Sequence, residues 1–441
     1  MESLKSIREG LASGRLIGCK ALKIADELSE FPMEILALAD SLELLVLSEN
    51  ELRSLPSEFA QLKRLKIVFF NNNKFESFPT VLANCPRLSM ISFKGNAIRD
   101  VPEGVLSPVV RWLILTDNQI ATLPRDIGRL NRLQKLMLAG NALRSLPQEL
   151  SNCERLELIR LSANQLTEIP SWLFSLPKLT WLAYAGNPCC ETEQLLQRRA
   201  QSESQLPIIE ESAVKLGEIL GQGASGIIYQ GDWQGKAVAV KLFKGEITSD
   251  GLPIDEMRAC IEAGSHPNIV SVLGRLRREE ETIGLVFSFI SDDYQNLGEP
   301  PSLESCTRDT YDENAAFSLS VVLTIAKGIA GAVAHLHSQG ITHGDLYAHN
   351  ILTNESGESI LGDFGAASFF EKDEVRYELL TRLESRAFGC LLEDLLERCA
   401  VNRDSEMEMT LFKKLKKIQQ SCLSSEIGER PLMKEIHRML T

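Results

Sequence analysis

Aromatic residues make up only 6% of this 441-residue chain, and its 47 Lys and Arg are outnumbered by 60 Asp and Glu. A net charge of −13 excludes general affinity for nucleic acid or anionic membrane. No uninterrupted apolar run reaches the roughly 18–20 residues that span a bilayer. The nearest stretch, Val321 to Ala334, is interrupted by Lys327 and reads as a buried helix. The opening Met1-Glu2-Ser3-Leu4-Lys5 lacks a basic head followed by an apolar block, so no secretory leader is expected. Ten cysteines lie scattered without a compact spacing, which argues against a disulfide scaffold and for a reducing, cytoplasmic setting. Cys189 and Cys190 are adjacent, but no second Cys or His pair stands at a zinc spacing from them, so they are read as structural. What is present is a globular composition, 44% hydrophobic and 24% charged, on a chain too long for one ordinary domain.

The first half repeats. Asparagines at 50, 73, 96, 118, 141, 164 and 187 are spaced by 22 or 23 residues. One row reads Leu133, Leu136, Leu138, Asn141, Leu143, Leu146, Pro147; the next reads Leu156, Ile159, Leu161, Asn164, Leu166, Ile169, Pro170. Earlier rows begin at Leu42, Leu65, Leu88 and Val110, and the last begins at Leu179. Each row is read as one coil: a short strand, an Asn able to satisfy backbone groups of its own and neighbouring coils, and a Pro that sets the return path. One coil cannot bury its apolar face, but stacked coils can. Cys85 and Cys153 hold the same late apolar position and are read as small core residues.

This pattern resembles the intracellular leucine-rich repeat with Leu-Pro in the return segment. The resemblance implies an α/β solenoid over residues 42–188, preceded by an N-terminal cap and shortened first repeat (1–41) and followed by a cap and linker (189–212). Such repeats bind partners on the concave strand face. The columns expected there, among them Phe69, Trp112, Ile114 and Trp181, are unusually apolar. Two readings stand: packing against the chain's own second half, or a protein-docking surface anchored by Trp112 and Trp181.

Beyond Ala213 the period stops and four ordered motifs appear. The first is Leu220-Gly221-Gln222-Gly223-Ala224-Ser225-Gly226-Ile227-Ile228, whose glycines let a turn lie close over phosphates. Strands rather than a helix are expected next, which argues against a dinucleotide fingerprint. The second, Val238-Ala239-Val240-Lys241, ends an apolar strand on a lysine that is costly to bury alone. The third is His343-Gly344-Asp345-Leu346-Tyr347-Ala348-His349-Asn350 and the fourth Gly362-Asp363-Phe364-Gly365. An acidic group beside an attacking hydroxyl can accept its proton, and Asn350 and Asp363 offer hard oxygens to Mg²⁺.

Together these motifs resemble the protein kinase superfamily over 213–441, closest to the tyrosine-kinase-like group, whose members mostly phosphorylate Ser and Thr. The resemblance implies an α+β bilobal domain that uses ATP and Mg²⁺. It assigns Asp345 as base, Lys241 to the phosphates, Glu256 (with Glu262 as alternative) to pair with that lysine, and Asn350 and Asp363 to the metal. It places nucleotide contacts at Leu220, Gly221, Gly223, Ser225, Gly226, Ile228 and Lys241. Phe287 is placed as gatekeeper, and Ser288 to Ile290 as the hinge to adenine. Arg430 matches an arginine near the family's C-terminal helices.

Three departures qualify the resemblance. Gly344 replaces the arginine that reads a phosphate on the activation loop, which predicts no such switch. Tyr347 stands where Ser/Thr kinases place a lysine against the transferred phosphate, and His349 is a candidate to compensate. Glu384 to Gly389, aligned with the start of the large central helix, arrives only 21 residues after Asp363. The activation segment is therefore short, and Glu378 or Glu384 is left to replace the usual partner of Arg430. The acidic stretch from Asp292 to Glu313 is expected to be a mobile surface loop. Three functions compete: an active kinase whose repeats recruit a protein, a pseudokinase scaffold, and a small-molecule kinase. The full glycine loop, Val-Ala-Val-Lys and Asp-Phe-Gly argue against the last, and the retained Lys241, Asp345, Asn350 and Asp363 favour the first over the second.

Overall fold

The computed structural model describes residues 3–245, 247–279, 281–371 and 377–441, which divide into two compact units, 1–178 and 179–441. In the first unit helix α1 (Leu4–Ala12) precedes seven three-residue parallel strands. These are β1 (Ala21–Lys23), β2 (Leu44–Val46), β3 (Ile67–Phe69), β4 (Met90–Ser92), β5 (Trp112–Ile114), β6 (Lys135–Met137) and β7 (Leu158–Arg160). Their register aligns Leu44 with Ile67 and Trp112 with Lys135, so residues 22 or 23 apart form continuous columns. The period of the sequence is thus the circumference of one coil.

Each repeat asparagine bonds backbone on both sides. Asn73 Nδ2 donates to Leu47 O at 2.9 Å in the preceding coil and to Phe70 O at 3.1 Å in its own, while its Oδ1 accepts from Leu52 N at 2.9 Å. Asn141 and Asn164 repeat the pattern. The residue before each asparagine is left-handed: glycine at 95, 140 and 186, but Glu49, Asn72, Asp117 and Ala163 elsewhere. Inside the coils Phe70, Phe75 and Phe93 pack with centroids 5.0–5.7 Å apart. Cys85 and Cys153 are fully buried in the core.

The second unit opens with the strand of the last repeat row, β8 (Trp181–Ala183), then helix α2 (Glu193–Gln205) and strand β9 (Ile208–Glu210). The segment from 189 to 212 is thus largely helix and strand. A six-stranded sheet follows in the order β10, β11, β12, β14, β13, β9, from β10 (Val214–Gln222), β11 (Gly226–Trp233), β12 (Lys236–Phe243), β13 (Val272–Arg278) and β14 (Glu281–Ser288). Its antiparallel core buries Val238, Val240, Leu276 and Val286, and β9 joins the far edge in parallel to β13. Helix α3 (Pro253–Ala263) lies between β12 and β13 in sequence. Helices α4 (Leu319–Ser338), α5 (Tyr377–Glu397), α6 (Glu406–Cys422) and α7 (Met433–Leu440) form the rest. By length and composition α4 is apolar enough to cross a membrane, but its Val322, Ile325, Ile329, Val333 and Leu336 are buried within this unit.

Two expectations are corrected. The central helix α5 begins at Tyr377, a full two turns before Glu384, so even less chain separates it from Asp363. The stretch from Asp292 to Glu313 is bonded in place: Arg308 binds Glu393 at 2.8 Å and Asp394 at 2.6 Å, and Cys306 and Thr307 are buried. Its many charges read as a solvated loop, yet Arg308 finds two carboxylates on α5 and Asp309 meets Ala348 N and His349. Residues 372–376, inside the short activation segment, lie outside the described residues.

Candidate active site

The motif residues converge because each ends or begins an element of the second unit. Lys241 sits near the end of β12, where Ile228 of β11 and Leu285 of β14 flank it in register. Asn350 and Asp363 bracket the hairpin formed by Ile351–Thr353 and Ser359–Leu361. Between the sheet and this hairpin lies a cleft of about 500 Å³. Leu220, Ile228, Ala239, Phe287 and Leu352 make its apolar walls, Ser288 to Ile290 form one rim, and Lys241, Glu256, His349, Asn350 and Asp363 make its polar end.

Lys241 Nζ donates to Glu256 Oε1, and both side chains are largely buried. Glu256 lies in the first turn of α3, and Pro253 at its start suits a helix N-terminus. Burial alone would lower the Lys241 ammonium, but Glu256 and Asp363 outweigh it and hold its pKa above the ordinary value. Burial pushes the Glu256 carboxyl upward, opposed by Lys241. Glu262, the alternative partner, points elsewhere and binds Arg198 at 2.8 Å.

Asn350 Nδ2 donates to Asp345 O at 2.9 Å and Asp345 Oδ2 at 2.8 Å, so the amide N–H groups face Asp345 and Oδ1 is the atom left for a cation. Asp363 adopts φ +51°, a left-handed conformation that costs a non-glycine residue about 1–2 kcal/mol. Its Oδ1 accepts from Gly365 N at 3.1 Å. A Cβ added to Gly365 would approach Asp363 Oδ1 at 3.2 Å. No group of three His, Cys, Asp or Glu able to hold a metal exists among the described residues. Asn350 and Asp363 supply two hard oxygens, so a divalent ion here would draw its other ligands from phosphates and water, the ordinary arrangement at triphosphate sites. The residues present therefore fit a nucleotide with its metal.

Asp345 does not line the cleft; it reaches the site through Asn350. Gly221, Gly223, Ser225 and Gly226 lie at the β10–β11 turn without lining it. That turn is closed by Gly223 N donating to Gly226 O at 3.0 Å and Lys244 N to Ser225 O at 2.9 Å. Gly226 is required by closeness, since a Cβ there would meet Leu242 O at 2.3 Å.

Both catalytic-loop departures have a physical reason. Gly344 has φ +74°, and a Cβ there would lie 2.3 Å from Ala366 O and 2.9 Å from Leu182 O, so an arginine cannot occupy it. Its N–H donates to Glu384 Oε1 at 2.6 Å, and Glu384 Oε2 meets His337 Nε2 at 2.7 Å. Glu384 is thus committed to the catalytic loop and not to Arg430. Glu378 meets Arg382 at 3.6 Å. Burial lowers the Arg430 guanidinium to about 10, and its Nε donates to Ser424 O at 2.9 Å. Tyr347 stacks on Trp181, with centroids 4.3 Å and planes 10° apart, and Trp181 Nε1 donates to Leu346 O at 3.2 Å. Trp181 is only 2% exposed, which overturns its reading as an exposed docking anchor. Trp112, in the first unit, is also buried, with Lys135 Nζ 4.5 Å above its ring, so its reading as an exposed anchor is corrected as well, while Phe69 and Ile114 are half-buried.

Sequence reasoning missed Cys260, Val270 and Leu352 on the cleft wall, and Asp309, whose Oδ2 accepts from Ala348 N and whose Oδ1 meets His349 Nδ1 at 2.7 Å. Leu352 carried a signal, two residues past Asn350 at strand spacing; Asp309 carried none.

The protein kinase domain family matches residues 214–388, and the leucine-rich repeat family matches 108–166 and 131–188. The chain carries leucine-rich repeats followed by a protein kinase domain, a domain that uses ATP with a divalent metal. It is similar to a leaf rust 10 disease-resistance locus receptor-like protein kinase-like protein of Arabidopsis thaliana, 29% identical over 47% of this chain and 30% of that one. It is also similar to the serine/threonine-protein kinase TNNI3K of Mus musculus, 28% identical over 41% of this chain and 21% of that one. The matched segment spans between a tenth and under a third of these curated relatives' own length.

Proposed function

We propose that this chain is an ATP- and Mg²⁺-dependent protein kinase that phosphorylates Ser or Thr of a protein, itself included, and that its repeats recruit a protein partner. The observation that carries this reading is the buried Lys241–Glu256 pair at the same end of the cleft as Asn350 and Asp363. The names of the relatives support the Ser/Thr preference. Glu256 orients Lys241, which would meet the α- and β-phosphates, and Asn350 and Asp363 would hold the metal. Mg²⁺, when bound, would neutralise phosphate charge. Asp345, oriented by Asn350, accepts the proton of the acceptor hydroxyl as its oxygen bonds to the γ-phosphorus and ADP leaves.

The purified chain with Mg-ATP is expected to phosphorylate itself or a generic protein, with Asp363→Ala lowering the rate at least about a hundredfold. Nucleotide binding without transfer by the unaltered chain would overturn the reading. It would favour a pseudokinase scaffold, which the Tyr347–Trp181 stack supports because it fills the place of a phosphate-neutralising lysine.

For the repeats, the half-buried Phe69 and Ile114 are the docking surface that remains once the buried Trp112 and Trp181 are withdrawn. Phe69→Ala with Ile114→Ala is expected to weaken capture of a partner at least tenfold, the scale of an interface hot spot. Helix α4 is read as core rather than a membrane span, supported by its burial. A cytoplasmic setting is supported by ten free cysteines.

A further inference from the structure

Helix α3 is held on two faces. From Glu256 to Glu262 the helix turns about 600°, which puts the two carboxylates on different sides. Glu256 faces Lys241. Glu262 faces α2, where Arg198 Nε donates to its Oε2 at 2.8 Å and Arg199 Nε lies 3.5 Å from its Oε1. Glu262 and Arg199 are both buried. Arg199 also donates from Nη2 to Cys190 O at 3.4 Å and lies 4.6 Å above the ring of Phe369, six residues past Asp363. One guanidinium thus touches α3, the segment after the Asp-Phe-Gly motif, and the end of the last repeat row. Arg198, Arg199 and Cys190 precede the kinase family match, which begins at 214, whereas Glu262 and Phe369 lie within it.

We infer that Arg198 and Arg199 are positioning residues for the proposed phosphoryl transfer: by gripping Glu262 on the outer side of α3, they keep Glu256 turned onto Lys241. The physical reason is that the Lys241–Glu256 pair is expensive to desolvate and holds only with good geometry. A short helix with one inner tether can swing away and let both charges return to water. A second charge-assisted tether on another side of the helix, from Arg198 with the buried Arg199 beside it, removes that freedom. The cation over Phe369 couples the same brace to the chain that carries Asp363. The segment that closes the repeats therefore does structural work for the nucleotide cleft. This inference rests on the kinase reading for its catalytic consequence but not for its geometry.

The test uses the full chain and four forms: unaltered, Arg198→Ala with Arg199→Ala, Arg198→Lys with Arg199→Lys, and Glu262→Gln. Three quantities are measured: Kd for a fluorescent ATP analogue with Mg²⁺, amide exchange over residues 253–263, and kcat with KM for ATP. The double alanine form is expected to bind nucleotide about tenfold more weakly, the scale of one lost buried charge-assisted bond. Its exchange over 253–263 should quicken while exchange in β10 to β12 stays unchanged. The double lysine form should stay within about threefold of the unaltered chain, because it keeps the charges. Glu262→Gln keeps the volume and should weaken binding in the same direction, which covers the case in which the double alanine form does not fold. Unchanged Kd and unchanged exchange over 253–263 in Glu262→Gln would overturn the inference. So would equal losses in the alanine and lysine forms. If the unaltered chain binds nucleotide but transfers no phosphate, the kinase reading fails, while Kd and exchange still decide the brace.

Discussion

At the scale of single residues, the two catalytic-loop substitutions are fixed by space. Gly344 is left-handed and faces two carbonyl oxygens, so no side chain fits. Gly344→Arg is expected to destabilise the second unit by more than about 3 kcal/mol, combining backbone strain with displacement of packed backbone. A urea melt followed by far-UV circular dichroism checks this; a loss below about 1 kcal/mol would show that the loop yields. Tyr347 and Trp181 form a stacked pair, and a double-mutant cycle with Tyr347→Leu and Trp181→Leu should return a coupling of about 0.5–1.5 kcal/mol. A single residue also carries a pH response. Burial, with His335 and His437 nearby, holds the His266 imidazole below its ordinary 6.5. The unfolded chain therefore takes up this proton first. The contribution to stability is complete above about pH 6.5 and is lost as pH falls toward the depressed folded value. Urea midpoints of the second unit should drop between pH 7 and pH 5.5, and His266→Asn should flatten that slope.

At the scale of elements, the repeat strands are too short to stand alone, and their stability comes from the asparagine ladder and the phenylalanine core. Phe93 touches Phe70, Phe75 and Phe78, with centroids 5.0–5.3 Å away. Phe93→Ala is expected to cost about 3–5 kcal/mol in a denaturant melt of the first unit. The left-handed position before each asparagine carries a smaller, opposite opportunity. Ala163 has φ +52° where three other rows have glycine. Relief of about 1–2 kcal/mol of strain, less the added entropy of a glycine in the unfolded chain, predicts a gain of about 0.5–1 kcal/mol for Ala163→Gly. Helix α3 shows the same logic in the second unit: neither its length nor its caps orient it, and buried ion pairs on two sides do.

At the scale of the whole molecule, the change from repeat to kinase domain is read at different places by sequence and by compactness. The period runs to Asn187, yet the compact division falls after Lys178. Tyr184 N donates to Ser368 Oγ at 2.9 Å and Tyr184 OH to Phe369 O at 3.3 Å, which ties the last repeat row to the segment after Asp-Phe-Gly. Strand β9 adds an edge to the sheet beside β13.

Much of this was legible from order alone. The 23-residue period determined the coil, its strand columns and its asparagine ladder, because each coil repeats the same local packing problem. The four motifs determined that Lys241, Asn350 and Asp363 gather at one cleft, with Asp345 behind Asn350, because their glycines, strand ends and turn spacings are local constraints. Only the tertiary structure decided that Trp181 lies on Tyr347, that Asp309 holds His349, that Glu384 serves Gly344, and that Arg198 and Arg199 grip Glu262. Each of those partners is separated by roughly 40 to 165 residues, and no period or spacing rule links them. A charged or aromatic side chain reads the same in sequence whether it faces water or a buried counterpart, and long-range packing alone settles which.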